Sequence, residues 1–594
     1  MAPSDKNPAL LPLRRIRVWH TLIILIIAVF GLRLFYLQII RYDHYKTAAL
    51  SDQLKQYEIP ATRGIISAFD GGSSVPIVLN QTLYTIYADP AYIKHPNTTA
   101  ATLANVLGGT PSDYTDKLTR QGSRYVILAK KVSKATKTKL LSYDYAGIGA
   151  REQSYRVYPQ GSLASQLLGF VNNEGKGVYG VEQALDKTLT GTPGRLKAIT
   201  DVHGVPLAAS EGNVSVPAVA GKKVQLTIDL GMQKQMENIL KDQYAKTHSE
   251  GLSAVIIDPN TGQVKAMANY PTYNPADYRH TDVKVFKNNA VSLAIEPGSS
   301  MKPLIAAAAL DSGVVTPTTT YFDHARVTVN GYTITNIEGD GGPGEQSVQS
   351  ILSLSLNTGA TWLLTRLGGS NDTINMGAIK RWHNYMVGHY RFGHPTHIEQ
   401  GYESDGYVPA ADKRRSAIQL TYANTSFGQG VQVTALQMAL AYSSALNGGT
   451  YYQPTLVDSY VSADGQVTKN RPKVVSRHVV SEDVSRALTK LLEGVVNRYY
   501  GIGFRYLKFP DGYIVGGKTG TAQVASPGGG YHEKYNNGSY IGFVGGQHPQ
   551  YVIAVYNIKP HLPADAYAGS AGGQPVFADL AHMLIDNGYA RPRQ

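Results

Sequence analysis

Residues 18–40 (VWHTLIILIIAVFGLRLFYLQII) form an apolar run of 23 residues. As a helix rising ~1.5 Å per residue, that run covers a hydrocarbon core of ~30 Å. No other apolar run reaches 18 residues, so the pattern predicts one membrane helix and a large remainder on one side of the bilayer. The rival reading is a cleaved signal peptide, whose apolar core would be residues 21–32. A peptidase needs small residues just after that core, but Arg33, Leu34, Phe35 and Tyr36 follow, and the first close pair of alanines is Ala48 and Ala49. The expectation is an uncleaved anchor. Lys6, Arg14, Arg15 and Arg17 precede the span, which favours a cytoplasmic N-terminus and an exported remainder. Arg33, Arg41 and Lys46 on the far side weaken that bias, although Arg33 can snorkel to the interface.

Between residues 45 and 220, short β-like runs at 84–88 and 125–128 alternate with helical stretches and polar turns, an irregular α+β pattern. Near Gly221 the pattern changes. VQLTID leads into an amphipathic helix signal, LGMQKQMENILKDQYAK, and AVIIDPNTGQVKAMANY reads as a hairpin turning at Asn-Thr-Gly. With further strand-like runs at 513–516, 540–544 and 551–558, these predict a larger α/β domain with a mostly antiparallel sheet. The expected organisation is a tail (1–17), an anchor (18–40), a first exported domain (41–220) and a second (221–594). No fixed-period repeat is visible.

With 43% hydrophobic and 17% charged residues, the composition excludes a mainly disordered, collagenous or coiled-coil chain. The net charge of +13 favours anionic neighbours without choosing among them, and no basic and aromatic stripe supports nucleic-acid binding. The absence of Cys excludes thiol catalysis, disulfides and Cys-based metal sites. His383, His389, His394 and His397 cluster in sequence, but their spacing matches no regular metal motif, and a solvated loop is expected there. Neither a metal nor a cofactor is expected. The 40 Tyr against 12 Phe are unusual, and the sequence alone gives no physical account of them.

Candidate chemistry begins at residues 297–303, PGSSMKP, which precede the Ala-rich run LIAAAALDSG. That run predicts a buried helix opened by Ser299 and closed at Ser312-Gly313. Lys302, three residues on, would stand one turn later on the same face, a nucleophile and base geometry. Pro303 is tolerable in a first turn, where backbone N–H groups lack intrahelical partners. An isolated Ser-x-x-Lys is weak evidence, since about one or two chance matches are expected in this length. The second element is Ser355-Leu356-Asn357, which alone would read as a solvated turn, and the third is Lys518-Thr519-Gly520-Thr521 after the strand-like YIVGG. Together, in this order, they are the set shared by penicillin-binding proteins and class A β-lactamases.

The resemblance extends over essentially the whole chain. Its other segments are RGII (63–66), RVYPQGSLASQLLGF (156–170), GVYGVEQALDKTLTGTPG (177–194), DVHGVPL (201–207), LTIDLGMQ (226–233), SFGQGVQVTALQMA (426–439) and GGKTGTAQ (516–523). On these residues the chain resembles a class B, monofunctional high-molecular-weight penicillin-binding protein. The resemblance implies an α/β (α+β) fold: a C-terminal penicillin-binding, serine β-lactamase-like domain with a mostly antiparallel five-stranded sheet flanked by helices, an irregular α+β pedestal, and one transmembrane helix. Ala68 and Phe69 depart from the acid and base that usually follow Arg-Gly-x-Ile, which bears on pedestal contacts. Leu356 fills a position that the family varies freely.

The resemblance further implies a peptidoglycan D,D-transpeptidase. Ser299 attacks an acyl-D-alanyl-D-alanine stem peptide, and Lys302 takes its proton as a base made neutral by burial and by Lys518. Ser355 shuttles a proton to the leaving amine and Asn357 holds Lys302 and the peptide. Lys518, Thr519 and Thr521 receive the terminal carboxylate, and Gly520 admits the substrate strand. The backbone N–H groups of Ser299 and Thr521 form the oxyanion hole. β-Lactams are then covalent inhibitors, and glycan polymerisation falls to a membrane glycosyltransferase partner. A D,D-carboxypeptidase shares the acylation chemistry, but its usual anchor is C-terminal. A β-lactamase needs an added base, for which Glu493 with Asn497 is only a superficial match. A β-lactam sensor or an inactive wall-synthesis scaffold are readings from another class; a sensor should carry several spans and His-Glu-x-x-His, which are not visible.

Overall fold

A computed structural model describes residues 13–46, 54–199, 214–337, 342–412, 417–498, 507–525, 530–563 and 566–593. Lys6, Ala48, Ala49 and the 201–207 segment lie outside them. Leu13–Phe35 is helical, and the helical path continues through a wider π turn, Tyr36–Ile40. Within it Ile16–Ile40 is long and apolar enough to cross a membrane, and none of that stretch is buried against protein.

The chain divides into two compact units. One joins Met1–Thr62 to Gly191–Ala220 and contains an antiparallel sheet in the order Leu54–Ile59, Gly194–Ile199, Val214–Val216. The other joins Arg63–Thr190 to Gly221–Gln594. In this second unit Lys223–Asp229 lies parallel to Ile66–Asp70 and antiparallel to Val457–Val461, so one sheet collects segments far apart in sequence. An ion cluster ties its early part together. The Glu182 carboxylate is fully buried and is held by Arg63 at 2.6 Å and Arg156 at 2.8 Å. Arg156 also donates to the Gly64 carbonyl, and Arg63 reaches Thr190.

The sheet that carries the site is antiparallel throughout. Its strands are β1 (Gly251–Ile257), β2 (Val264–Tyr270), β3 (Ile514–Ala525), β4 (Tyr531–Gly545) and β5 (Pro549–Ile558), in the order β2-β1-β5-β4-β3. The predicted hairpin is therefore β1 and β2, and all seven residues of β1 are buried, as a strand covered on both faces requires. One face carries α1 (Leu230–Thr247) and α5 (Gln574–Asp586), which pack on each other. Next to the sheet's other face is α2 (Lys302–Asp311), whose residues from Leu304 to Ala309 are completely buried. Its alanines let α3 (Asn357–Leu367) and α4 (Glu482–Arg498) come close, so α2 is the centre of the core.

The helix starts later than expected. Ser299 lies in a 3₁₀ turn, Gly298–Met301, and α2 begins at Lys302, with Pro303 in its first turn. Pro303 has no N–H to bond back to residue 299, so the tighter turn persists up to Lys302. The histidines also differ from expectation. His383 lies on the helix Met376–Asn384 and bonds the Tyr422 hydroxyl; His389 ends the π turn Tyr385–His389 and bonds the Val479 carbonyl. Only His394 and His397 are exposed in a loop. Among the described residues no three His, Asp or Glu side chains gather closely enough to hold a metal ion.

Part of the tyrosine surplus now has a reason. Tyr390, Tyr422, Tyr442 and Tyr556 are buried and donate to the backbone carbonyls of Leu304, Pro409, Ser300 and Val433, so each fills core volume while its own hydroxyl stays hydrogen-bonded.

Removing Glu182 leaves the buried Arg156 guanidinium without its counter-charge, while Arg63 keeps Asp186 at 2.8 Å. Glu182→Ala is therefore expected to cost about 3–5 kcal/mol, read as a lower denaturation midpoint; a midpoint within error of wild type would contradict this account.

Candidate active site

Lys302 is the hub of the site. Its side chain has no exposed surface, and its Nζ lies 2.8 Å from Ser299 Oγ, 2.8 Å from Asn357 Oδ1, 3.1 Å from Ser355 Oγ and 2.5 Å from the Ser355 carbonyl. Three residues from two of the sequence motifs thus meet at one nitrogen, through four contacts. The short step from Ser299 to Lys302 comes from the 3₁₀ turn and the start of α2, which place the two side chains one turn apart.

Ser355 and Asn357 reach the hub from the start of α3. Ser355 adopts φ +56°, a left-handed conformation that costs a non-glycine residue ~1–2 kcal/mol. The kink lets its carbonyl and its hydroxyl face the same amine. Leu356 between them is fully buried, so the motif is anchored by an apolar side chain and is not a solvated turn. Asn357 is fixed from its other end, where Nδ2 donates to the Thr335 carbonyl at 3.0 Å. Next to it, Thr358 donates its hydroxyl to Asp323 and to Asn336, which locks the first turn of α3.

The third motif lies on the free edge strand, β3. Two glycines bring it onto the nucleophile's turn. A Cβ on Gly520 would come within 2.2 Å of the Pro297 carbonyl, and one on Gly298, whose φ is +61°, within 2.5 Å of the Thr521 carbonyl. The backbones of Thr521 and of the Ser299 turn are therefore in direct contact. Lys518 is 2% exposed, and its ammonium donates to the carbonyl and hydroxyl of Thr519, both at 3.3 Å. The Thr521 hydroxyl accepts from the Gly569 N–H at 3.0 Å, which leaves its own proton available to an anion.

Several residues that the motifs do not include hold this arrangement. Ser539 of β4 donates to the Pro297 carbonyl at 2.8 Å and lies 3.1 Å from the Ser300 hydroxyl, which bonds the same carbonyl. Tyr442 donates to the Ser300 carbonyl. The one sequence signal for Ser539 is a small polar residue on the buried face it shares with Ile541 and Phe543. Glu296, directly before the turn, accepts from the Gly430 N–H at 2.9 Å and from the Tyr531 hydroxyl at 3.3 Å. Its second oxygen is buried without a hydrogen-bond partner among the described residues. Burial raises the Glu296 pKa against these two bonds, and burial together with Glu296 pushes Tyr531 up to about 12.

A serine and a buried lysine amine at the head of a core helix, with an edge strand laid against the serine's turn, give a hydroxyl paired with an amine on an α+β scaffold, an arrangement suited to nucleophilic chemistry. The chain matches the penicillin-binding protein transpeptidase domain over residues 252–582 and the penicillin-binding protein dimerisation domain over 58–226. It is 30% identical to stage V sporulation protein D of Bacillus subtilis, over 96% of this chain and 85% of that protein. It is 28% identical to the peptidoglycan D,D-transpeptidase FtsI of Escherichia coli K12, over 92% and 87%. The crystal structure of a peptidoglycan synthetase from Bifidobacterium adolescentis superposes with a TM-score of 0.70 at 25% identity, over 91% of this chain and 98% of that one. The chain belongs to the penicillin-binding protein transpeptidase family.

An acid whose folded pKa lies above its unfolded value contributes stability that is complete under acidic conditions and is lost as pH rises through the folded pKa. Glu296 is such an acid, whereas glutamine is uncharged at every pH. Denaturation from acidic to neutral pH is therefore expected to show wild type losing stability relative to Glu296→Gln; a pH-independent difference would contradict it.

Proposed function

We infer that the chain is a peptidoglycan D,D-transpeptidase working through an acyl-enzyme on Ser299. The observation that carries this reading is the 2.8 Å contact of the buried Lys302 amine with Ser299 Oγ, completed by Ser355 and Asn357. A neutral Lys302 takes the Ser299 proton as Oγ adds to the penultimate carbonyl of an acyl-D-alanyl-D-alanine peptide. Complete burial makes a charge on Lys302 costly, and Lys518 adds a second cation to the same site. The backbone N–H groups of Ser299 and Thr521 receive the oxyanion, each worth ~3–4 kcal/mol in the transition state. The C–N bond then breaks, and the proton reaches the departing D-alanine amine through Lys302 and Ser355. An amine of a neighbouring stem attacks the ester, restores Ser299 Oγ and forms the cross-link.

Lys518, Thr519 and Thr521 suit the terminal carboxylate by charge and by hydroxyl donation. Gly520 lets the donor approach the edge of β3, and Asn357 orients the peptide as well as Lys302. A β-lactam would acylate Ser299 in the same way and stay attached. Hydrolysis of that adduct needs a further base, and Glu493 instead lines a cleft with Asn447, Gln547 and His548, which holds none of the residues around Ser299. The apolar N-terminal helix serves as a membrane anchor with the catalytic unit outside. A separate membrane glycosyltransferase would supply the glycan strands, because residues 41–220 resemble a pedestal.

The test is fluorescent penicillin labelling of the full-length protein, with the adduct located by peptide mass. Label is expected on Ser299 only and is expected to vanish in Ser299→Ala. Lys302→Met, similar in length but without a base, should slow acylation ~10²–10⁴-fold. Label on another residue, or normal acylation by Lys302→Met, would overturn the mechanism, and rapid loss of the adduct would favour a β-lactamase.

A further inference from the structure

The straight part of the N-terminal helix ends at Phe35, and from Ile16 to that point it rises ~30 Å, the thickness of a hydrocarbon core. The π turn Tyr36–Ile40 therefore falls where apolar chains give way to headgroups. There the Arg41 N–H donates to the Tyr36 carbonyl at 2.8 Å, and the Arg41 side chain folds back so that Nε donates to the Tyr36 hydroxyl at 3.0 Å. Arg33 reaches forward to the same ring, and both guanidinium carbons stand 5.7 Å from its centre. One tyrosine thus gathers two guanidinium groups whose Cα atoms, in an unbroken α-helix, would lie ~12 Å apart along the axis.

These cations lack an anion. Neither Arg33 nor Arg41 has a carboxylate within ion-pair distance among the described residues. Residues 33–46 hold Arg33, Arg41 and Lys46 against the single acid Asp43, a formal charge of +2. A guanidinium cannot escape by losing its proton, as an amine can. On the exported side such charges also oppose the orientation bias that Lys6, Arg14, Arg15 and Arg17 set up. The anion available at that depth is phosphate, which forms the layer directly outside the hydrocarbon and whose oxygens match the guanidinium fork. Tyr42 and Tyr45 follow, both exposed, with the Lys46 ammonium 5.5 Å from the centre of the Tyr42 ring, and continue an aromatic and cationic band suited to that layer.

Resting on the reading of this helix as a membrane anchor, we propose that Arg33 and Arg41, held on Tyr36, clamp the phosphate of an anionic phospholipid in the leaflet on the exported side. A zwitterionic lipid carries its own cation beside the phosphate and competes poorly, whereas a net negative headgroup answers the positive charge of the segment. The clamp fixes the depth at which the chain leaves the bilayer. Sliding the helix inward would draw both guanidinium groups out of the phosphate layer into hydrocarbon, where an arginine costs several kcal/mol on any scale.

The test reconstitutes the full-length protein in phosphatidylcholine vesicles that carry a trace of photoreactive lipid, either phosphatidylglycerol or phosphatidylcholine, with the same reactive group at the head of the acyl chain. After illumination, labelled peptides are located by mass. Within residues 33–46 the phosphatidylglycerol probe is expected to label about five-fold more than its partner, as two partly exposed ion pairs would give. In Arg33→Gln/Arg41→Gln that ratio should fall below about two, while the ratio at Arg14, Arg15 and Arg17 stays as in wild type and serves as the internal control. Equal labelling by the two probes in wild type, or an unchanged ratio in the double variant, would overturn the clamp. So would a preference abolished by inorganic phosphate but not by chloride of equal ionic strength, which would mark a site for free anions. Failure of both probes to label any part of residues 16–40 would instead overturn the anchor reading, and the clamp with it.

Discussion

Lys302 brings a primary amine into a core from which water is excluded, and the architecture around it follows from that placement. An amine with no exposed surface must have its hydrogen bonds supplied by protein, and here they come from the Ser299 hydroxyl, the carbonyl and hydroxyl of Ser355, and the Asn357 amide. Those groups lie on the turn before α2 and at the start of α3, two helices that pack on each other, with Leu356 buried between Ser355 and Asn357. The left-handed backbone at Ser355 is tolerated because the amine takes two oxygens from that one residue. The nucleophile is therefore positioned by the same contacts that hold the core together.

The second constraint is the close approach of an edge strand to a turn. Gly298 and Gly520 remove the side chains that would keep β3 from the Ser299 turn, and the hydroxyls of Ser539 and Ser300 fasten the Pro297 carbonyl once the gap has closed. A strand edge left unpaired in this way would ordinarily invite aggregation. On the proposed acyl-transfer reading, a substrate strand would supply the missing partner. The Glu296 carboxyl, lying between Gly430 and Tyr531, joins the nucleophile's turn to the start of β4 and to the 428–430 loop.

Much of this was legible before the fold was known. The apolar length of residues 18–40, the β1 and β2 hairpin and the buried Ala-rich helix all follow from local periodicity, which depends only on neighbours in sequence. Ser299 and Lys302 were readable as a pair because three residues along a helical turn is a fixed distance. The 3₁₀ start of α2 was not readable, since the turn is set by Pro303 together with the glycine contact to β3. Nor were the histidines: His383 and His389 find partners in Tyr422 and Val479, 39 and 90 residues away.

By itself the sequence determined which groups could do chemistry here: a hydroxyl and an amine one turn apart, an amide, a lysine with two threonines on a strand, and no thiol. Residue type and short spacing carry that information because side-chain chemistry and helical or strand repeat are local properties. Only the tertiary structure decided that the Ser299 hydroxyl, the Asn357 amide and both oxygens of Ser355 meet at the Lys302 nitrogen, and that Ser539 and Glu296 brace the turn. Those relations join segments tens to hundreds of residues apart. They arise from packing of buried faces, which no local pattern encodes.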